Sequence, residues 1–284
     1  MSTPEGFPRS KDCHVTCTVS MPFAPVGNLR LRYTLCGQGE PVLLVMGLAM
    51  SGRGWRGQVE DLSKDFTVCS YDNRGVGDSS TPIGLYTTRA LAKDAFGLMD
   101  HLGWDRAHVV GISMGGMIAQ HMGLLRPERV RSMALISTHM GGLAGRPSFQ
   151  GTKAFVGMQT TTGEQRLRNV GKMLFSDGFA KDNKAYLRSD FAEIGGQDCS
   201  PWGIAGQLAA VLSHMSRRRM HKLRGIPTVV MTGTRDILVR PSNSRRLAEA
   251  LHAPLVEVEG AGHGLIIEAG GEVNATLREH FARA

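Results

Sequence analysis

Long apolar runs are missing from this chain of 284 residues. No stretch approaches the roughly 20 consecutive apolar residues that span a bilayer, so a membrane-spanning protein is not expected. The first twenty residues carry prolines and charges but no apolar signal core, which argues against secretion. Ser2 stands where N-myristoylation requires glycine, and no prenylation motif ends the sequence. Cysteine is scarce and shows no framework spacing. The five residues Cys13, Cys17, Cys36, Cys69 and Cys199 cannot all pair, so reduced thiols in a cytoplasmic protein are expected. Cys13-His14-x-x-Cys17 lies in a strand-like run, where residues four apart stand about 13 Å from each other, too far to share an ion. No metal site is expected there.

What remains is an ordinary globular balance of 42% hydrophobic and 20% charged residues, with a net charge of +8. The positive excess is uneven. Between Gly141 and Lys222 twelve basic residues face six acidic ones. Neither aromatic interleaving nor a nucleic-acid motif accompanies them, so nucleic acid is not an expected partner. A solvated helical face accounts for the charge, with attraction to an anionic or lipid-surface substrate as the alternative.

The informative stretch is Gly111-Ile112-Ser113-Met114-Gly115. A β-branched run from His108 to Ile112 leads into it, and Met117, Ile118, Met122 and Leu125 then recur at helical spacing. Strand, sharp turn and helix give G-x-S-x-G a mechanism. The serine sits on strained backbone, side chains at Gly111 and Gly115 would collide with neighbouring backbone, and the new helix aims free N–H groups at any anion formed there.

Along the chain, residues 15–20 and 29–35 read as antiparallel strands with a turn at Val26-Gly27-Asn28. Further strands are expected at 41–46, 66–71, 131–137, 226–232 and 255–258. Amphipathic helices are expected at 88–102 and, capped by Ser242, through Leu251, with a last helix running to the C-terminus. Gly47 to Trp55 is a Gly-rich loop leaving a central strand, and Asp72 to Ser79 is a turn braced by Asp72 and Arg74. Residues 140–223 are Gly- and charge-rich with helical patches but no good strand. They read as a helical insertion after the sixth strand, and residues 1–139 and 224–284 as the core. The alternation predicts an α/β fold, with a mostly parallel central sheet flanked by helices on both faces. Function in such sheets gathers at the carboxyl ends of strands.

Three residues in such positions carry chemistry: Ser113, Asp236 and His263. A serine hydroxyl needs a base, and among ten histidines His263 lies in a glycine-bounded loop directly after a strand. His139, just past a strand, is its rival and a candidate for the pocket wall. The base needs a carboxylate to fix its tautomer, and Asp236 ends the preceding strand.

The order Ser, Asp, His together with the G-x-S-x-G turn resembles the α/β-hydrolase superfamily from about Leu29 onward. The resemblance implies that the insertion is a cap or lid, and that Asp72 to Ser79 is a structural turn. It implies a nucleophile elbow at Ser113 and an oxyanion hole from the backbone N–H groups of Leu48 and Met114. Met46-Gly47 stands where many members carry His-Gly, a change that spares backbone donors. The stretch from Leu48 to Trp55 is similar to that of small arylesterases and cofactor-free perhydrolases. Gly47, Trp55 and His139 are expected in the substrate pocket. The implied activity is a serine esterase, cleaving an ester or thioester without a cofactor. Lactone opening, C–C cleavage, peracid formation, or a small-molecule receptor with a slow triad are the alternatives. Aspartate-nucleophile epoxide and haloalkane hydrolases are disfavoured by serine at 113. Met140, Phe149, Phe155, Met158, Met173 and Phe175 supply either an apolar acyl pocket or the insertion's own core.

Overall fold

The computed structural model describes residues 22–142, 148–188 and 199–284. Eight strands form one sheet: β1 (Phe23–Val26), β2 (Leu29–Cys36), β3 (Glu40–Val45), β4 (Phe66–Tyr71), β5 (Ala107–Ile112), β6 (Val130–Ile136), β7 (Thr228–Gly233) and β8 (Leu255–Val258). Their spatial order is β1-β2-β4-β3-β5-β6-β7-β8. Only β1 and β2 run antiparallel to their neighbours; the other pairings are parallel. All six residues of β5 and of β7 are buried, as continuous apolar strands covered on both faces should be. The expected strand at 15–20 lies outside the described residues, and β1 pairs with β2 through the Gly27 turn instead.

Helices α1 (Arg56–Leu62), α2 (Thr88–His101) and α3 (Met114–Leu125) fall between successive strands of the first half. Among the described residues, five more separate β6 from β7: α4 (Phe149–Thr160), α5 (Gly163–Leu174), α6 (Asp177–Asp182), α7 (Lys184–Arg188) and α8 (Pro201–Leu212). Then come α9 (Pro241–Leu251), α10 (Leu265–Glu268) and α11 (Gly270–Phe281). Two details depart from expectation. Pro241, not Ser242, opens α9: its fixed φ suits the first helical turn and its missing N–H would be unpaired there anyway. The last helix is two, parted at Ala269, whose φ of −129° and ψ of 39° interrupt the helical path.

Two apolar cores flank the sheet. Leu43, Val109 and Leu135 point to the α2/α3/α9 side, and Leu44, Val110 and Ala134 to the α1/α11 side, the alternation a pleated strand requires. Asp72 braces its turn by accepting from Asp78 N at 3.3 Å, and ties it to the neighbouring loop by accepting from Gly52 N at 2.7 Å, beside Arg32 at 3.6 Å. Arg74 instead pairs with Asp94 on α2. Cys69 is a free, buried thiol, but Cys36 is disulfide-bonded. An odd cysteine count rules out complete pairing without ruling out one bridge. No helix among the described residues is long and apolar enough to cross a membrane.

The chain passes from β3 outward to β4, then returns past β3 to β5, so the strand order reverses between β3 and β5. Such a switch point opens a crevice at the carboxyl ends of the two strands, where open α/β sheets bind ligands. Gly115 lets α3 start in that crevice. A Cβ there would lie 2.0 Å from the Val45 carbonyl oxygen, and backbone cannot swing aside. Gly115→Ala is therefore expected to lower stability by about 3 kcal/mol, read as a shift in the urea midpoint. An unshifted midpoint would mean that α3 is free to lift off β3.

Candidate active site

Ser113 caps the carboxyl end of β5 with φ 56° and ψ −119°, backbone that a non-glycine residue adopts only under strain. The surroundings hold it there. Ser113 N donates to Ile136 O at 2.9 Å, and its carbonyl accepts from Thr138 Oγ1 at 2.7 Å. A Cβ on Gly111 would come within 2.3 Å of Gly115 O, so both glycines of the motif are sterically required.

Asp236 follows β7 and His263 follows β8. Their side chains are buried, and His263 Nδ1 lies 2.8 Å from Asp236 Oδ2. The carboxylate can only accept, so Nδ1 carries a proton, and in the neutral ring Nε2 is the nitrogen with the lone pair. Asp236 Oδ1 accepts from the N–H groups of Leu238 and Val239 at 2.9 and 2.8 Å, which fixes the carboxylate plane. The His263 loop is clamped on both sides. Gly262 N donates to Glu268 at 2.9 Å, and Gly264 N donates to the carbonyl of Leu174 at the end of α5. Ser113 and His263 line one cavity of about 250 Å³, without a hydrogen bond between them among the described contacts. Such contacts commonly tighten only as substrate binds.

The loop after β3 closes the other side. Gly47 packs under Ser113, leaving only 3.2 Å between a Cβ placed there and Ser113 Cβ. Leu48 lines the cavity, Ala49 takes a positive φ of 58°, and Met46 O accepts from Asn73 Nδ2 at 3.0 Å. Met114 N is the first free N–H of α3. Neither Leu48 N nor Met114 N has a partner among the described hydrogen bonds. Ala49 N donates to Gln207 Oε1 on α8 at 2.8 Å, while Gln207 Nε2 donates to Arg74 O at 2.8 Å. This fully buried glutamine, and Glu268, position the loops of the site. Neither carried a motif, and their roles follow only from three-dimensional placement.

The cavity wall is largely apolar, with Met173, Phe175, Ile204 and Leu208 from the segment between β6 and β7. Phe149 is 85% exposed and takes no part, Met140 packs on the core, and the side chains of Phe155 and Met158 lie outside those described. Gly47 and His139 are in the wall. Trp55 is not. Its side chain is fully buried in the core cluster on the α1/α11 side, because residues 52–55 form a 3₁₀ turn leading into α1. Burial, with the neighbouring His263, pulls the His139 imidazolium down to about 4.

Fold, switch-point crevice and post-strand serine, aspartate and histidine together define a hydrolase-type α/β protein. The chain belongs to the alpha/beta hydrolase fold family, whose model matches residues 40–270. It is 29% identical over 246 residues to a protein of Azorhizobium caulinodans provisionally named a carbamate hydrolase, covering 86% of this chain and 91% of that one. The enol-lactonase of Burkholderia xenovorans LB400 superposes with a TM-score of 0.81 at 28% identity, over 92% of this chain and 100% of that one. A meta-cleavage product hydrolase from Pseudomonas fluorescens IP01 does so with a TM-score of 0.77 at 25% identity, over 92% and 97% of the two chains.

Proposed function

We propose that this protein is a serine hydrolase that cleaves a carboxylic ester or thioester through an acyl-enzyme on Ser113. The 2.8 Å contact between His263 Nδ1 and Asp236, at the rim of the cavity that Ser113 enters on a strained turn, carries the reading. Ser113 Oγ attacks the substrate carbonyl carbon as His263 Nε2 takes the hydroxyl proton. Asp236 holds the resulting imidazolium in place without becoming protonated. The oxyanion is received by the N–H groups of Leu48 and Met114, each such donor worth about 3 kcal/mol in the transition state. His263 then hands its proton to the leaving alcohol or thiol. A water, deprotonated by the same nitrogen, clears the acyl group. Residues 140–223 act as the cap, supplying apolar wall to the acyl side and holding the His263 loop through Leu174. No cofactor enters this scheme.

The likeness to an enol-lactonase makes a lactone, an ester closed on itself, the second substrate to test. The experiment is stoichiometric labelling by a fluorophosphonate, with the modified peptide mapped to Ser113, followed by turnover on p-nitrophenyl esters, thioesters and lactones. Labelling with many turnovers supports the enzyme. Labelling with a single slow turnover supports a receptor with a vestigial triad, and labelling elsewhere refutes the reading.

A further inference from the structure

His139, like Thr152 and Arg166, is a polar residue of the cavity lining that the proposed chemistry leaves unused, and it follows β6 close to Ser113. Its surroundings fix its proton. Gly141 N lies 3.0 Å from Nδ1, and a backbone N–H can only donate, so Nδ1 must offer its lone pair. A neutral ring then carries its single proton on Nε2. Burial keeps the ring neutral, and a charge on it would oppose charge on His263. The residue's carbonyl is also held, by Gln120 Nε2 at 3.1 Å. Backbone and ring are both anchored, so Nε2–H is a preorganised donor in a largely apolar wall. In such a place a substrate oxygen that accepts from this donor is favoured over an apolar group, which would leave the donor unpaired.

The sheet order says which part of a substrate it meets. Leu48 follows β3 on one side of Ser113, whereas His139 and His263 follow β6 and β8 on the other. A carbonyl oxygen turned toward Leu48 is directed away from His139. We propose that His139 determines specificity by donating a hydrogen bond from Nε2 to a second oxygen of the substrate, distinct from the scissile carbonyl oxygen. The substrates this selects are esters or lactones bearing an oxo, hydroxy or alkoxy oxygen within a few atoms of the scissile carbonyl. Simple alkyl esters are discriminated against. This rests on the acyl-enzyme reading of Ser113.

The test compares kcat/KM for matched pairs: p-nitrophenyl butyrate with p-nitrophenyl 3-hydroxybutyrate, and ethyl butyrate with 2-methoxyethyl butyrate. The first pair places the extra oxygen on the acyl side and the second on the alcohol side. The wild-type protein should prefer the oxygenated member of one pair by about tenfold to a hundredfold. Two variants separate donation from support of the chain. His139→Asn keeps an oxygen where Nδ1 accepts from Gly141 but removes the distal donor, and should erase the preference. His139→Gln gives up the Gly141 contact but restores a distal N–H, and should recover part of it. A preference that survives in His139→Asn, or no preference in either pair, overturns the proposal. Fluorophosphonate labelling is followed in each variant, so that loss of Ser113 reactivity is recognised as failure of the catalytic reading instead.

Discussion

Ser113→Ala is expected to lower kcat by about 10⁴- to 10⁶-fold while leaving the unfolding free energy within about 0.5 kcal/mol of wild type. The hydroxyl is the only atom removed. Alanine retains the Cβ that makes φ 56° and ψ −119° costly, so the strain stays in place. Ser113→Gly is the informative companion. Without a Cβ the same backbone is relaxed, a gain of about 1–3 kcal/mol that the greater freedom of the unfolded glycine partly offsets. The glycine variant should be inactive yet more stable than the alanine variant by about 1 kcal/mol, measured by urea denaturation. Residual turnover at the wild-type rate in either variant would remove Ser113 from the mechanism. A glycine variant less stable than alanine would show that the elbow is not strained. Together the two separate what the turn costs the fold from what it supplies to the chemistry, namely a hydroxyl raised above the sheet edge at the foot of α3.

The elements that sequence made legible are those whose physical cause is local. The largely buried strands β3 to β7 announce themselves as apolar runs, and the Ser113 elbow as glycines that sterics demand on either side. Asp236 and His263 were readable because each stands just past a strand, where a parallel sheet exposes its functional edge. Trp55 was misplaced for the opposite reason: it follows the Gly-rich loop in sequence, but a short 3₁₀ turn rotates it into the core. Gln207 and Glu268 were invisible because their partners lie far away along the chain, Gln207 bonding Ala49 across 158 residues. Non-local hydrogen bonds of this kind leave no periodicity to read.

The same non-local organisation governs the response to acid. His121 Nδ1 faces Met117 O at 3.3 Å, so it must donate, and its Nε2 accepts from Arg219 at 3.2 Å. Ser216 Oγ donates to Gln120 Oε1, so His214 Nε2 must donate to Ser216 at 3.2 Å. His214 Nδ1 is left to accept from Thr88 Oγ1 at 3.2 Å. Every ring nitrogen of the pair is committed, and neither ring can take another proton without losing a bond or facing Arg219. Burial and the neighbouring histidines accordingly pull His214 down to about 3, and burial pulls His280 to about 4, beside His139 at about 4. His121 is lowered too, by burial first and then by Arg219 and Arg89. An unfolded histidine takes up its proton near pH 6.5. Stability contributed by these rings is therefore complete above that value and is lost as pH falls toward their folded values, after which the loss stops. Between pH 7.5 and pH 5 each strongly lowered histidine should withdraw about 2 kcal/mol, a total on the order of 5 kcal/mol, comparable with the whole stability of many domains. Burial raises the carboxyls of Asp72 and Asp94, which works in the opposite direction as pH falls, so the measured loss is the histidine contribution net of theirs. Urea denaturation at the two pH values measures the difference, and His214→Gln should shrink it by about one proton's worth. The location of the pair matters for the outcome. His214 and Ser216 lie beside the bridge between Gly141 and Met215, where the segment between β6 and β7 leaves and rejoins the sheet. Equal stability at both pH values would mean that these rings are accessible to protons in the folded state, and that the clasp is looser than its hydrogen bonds imply.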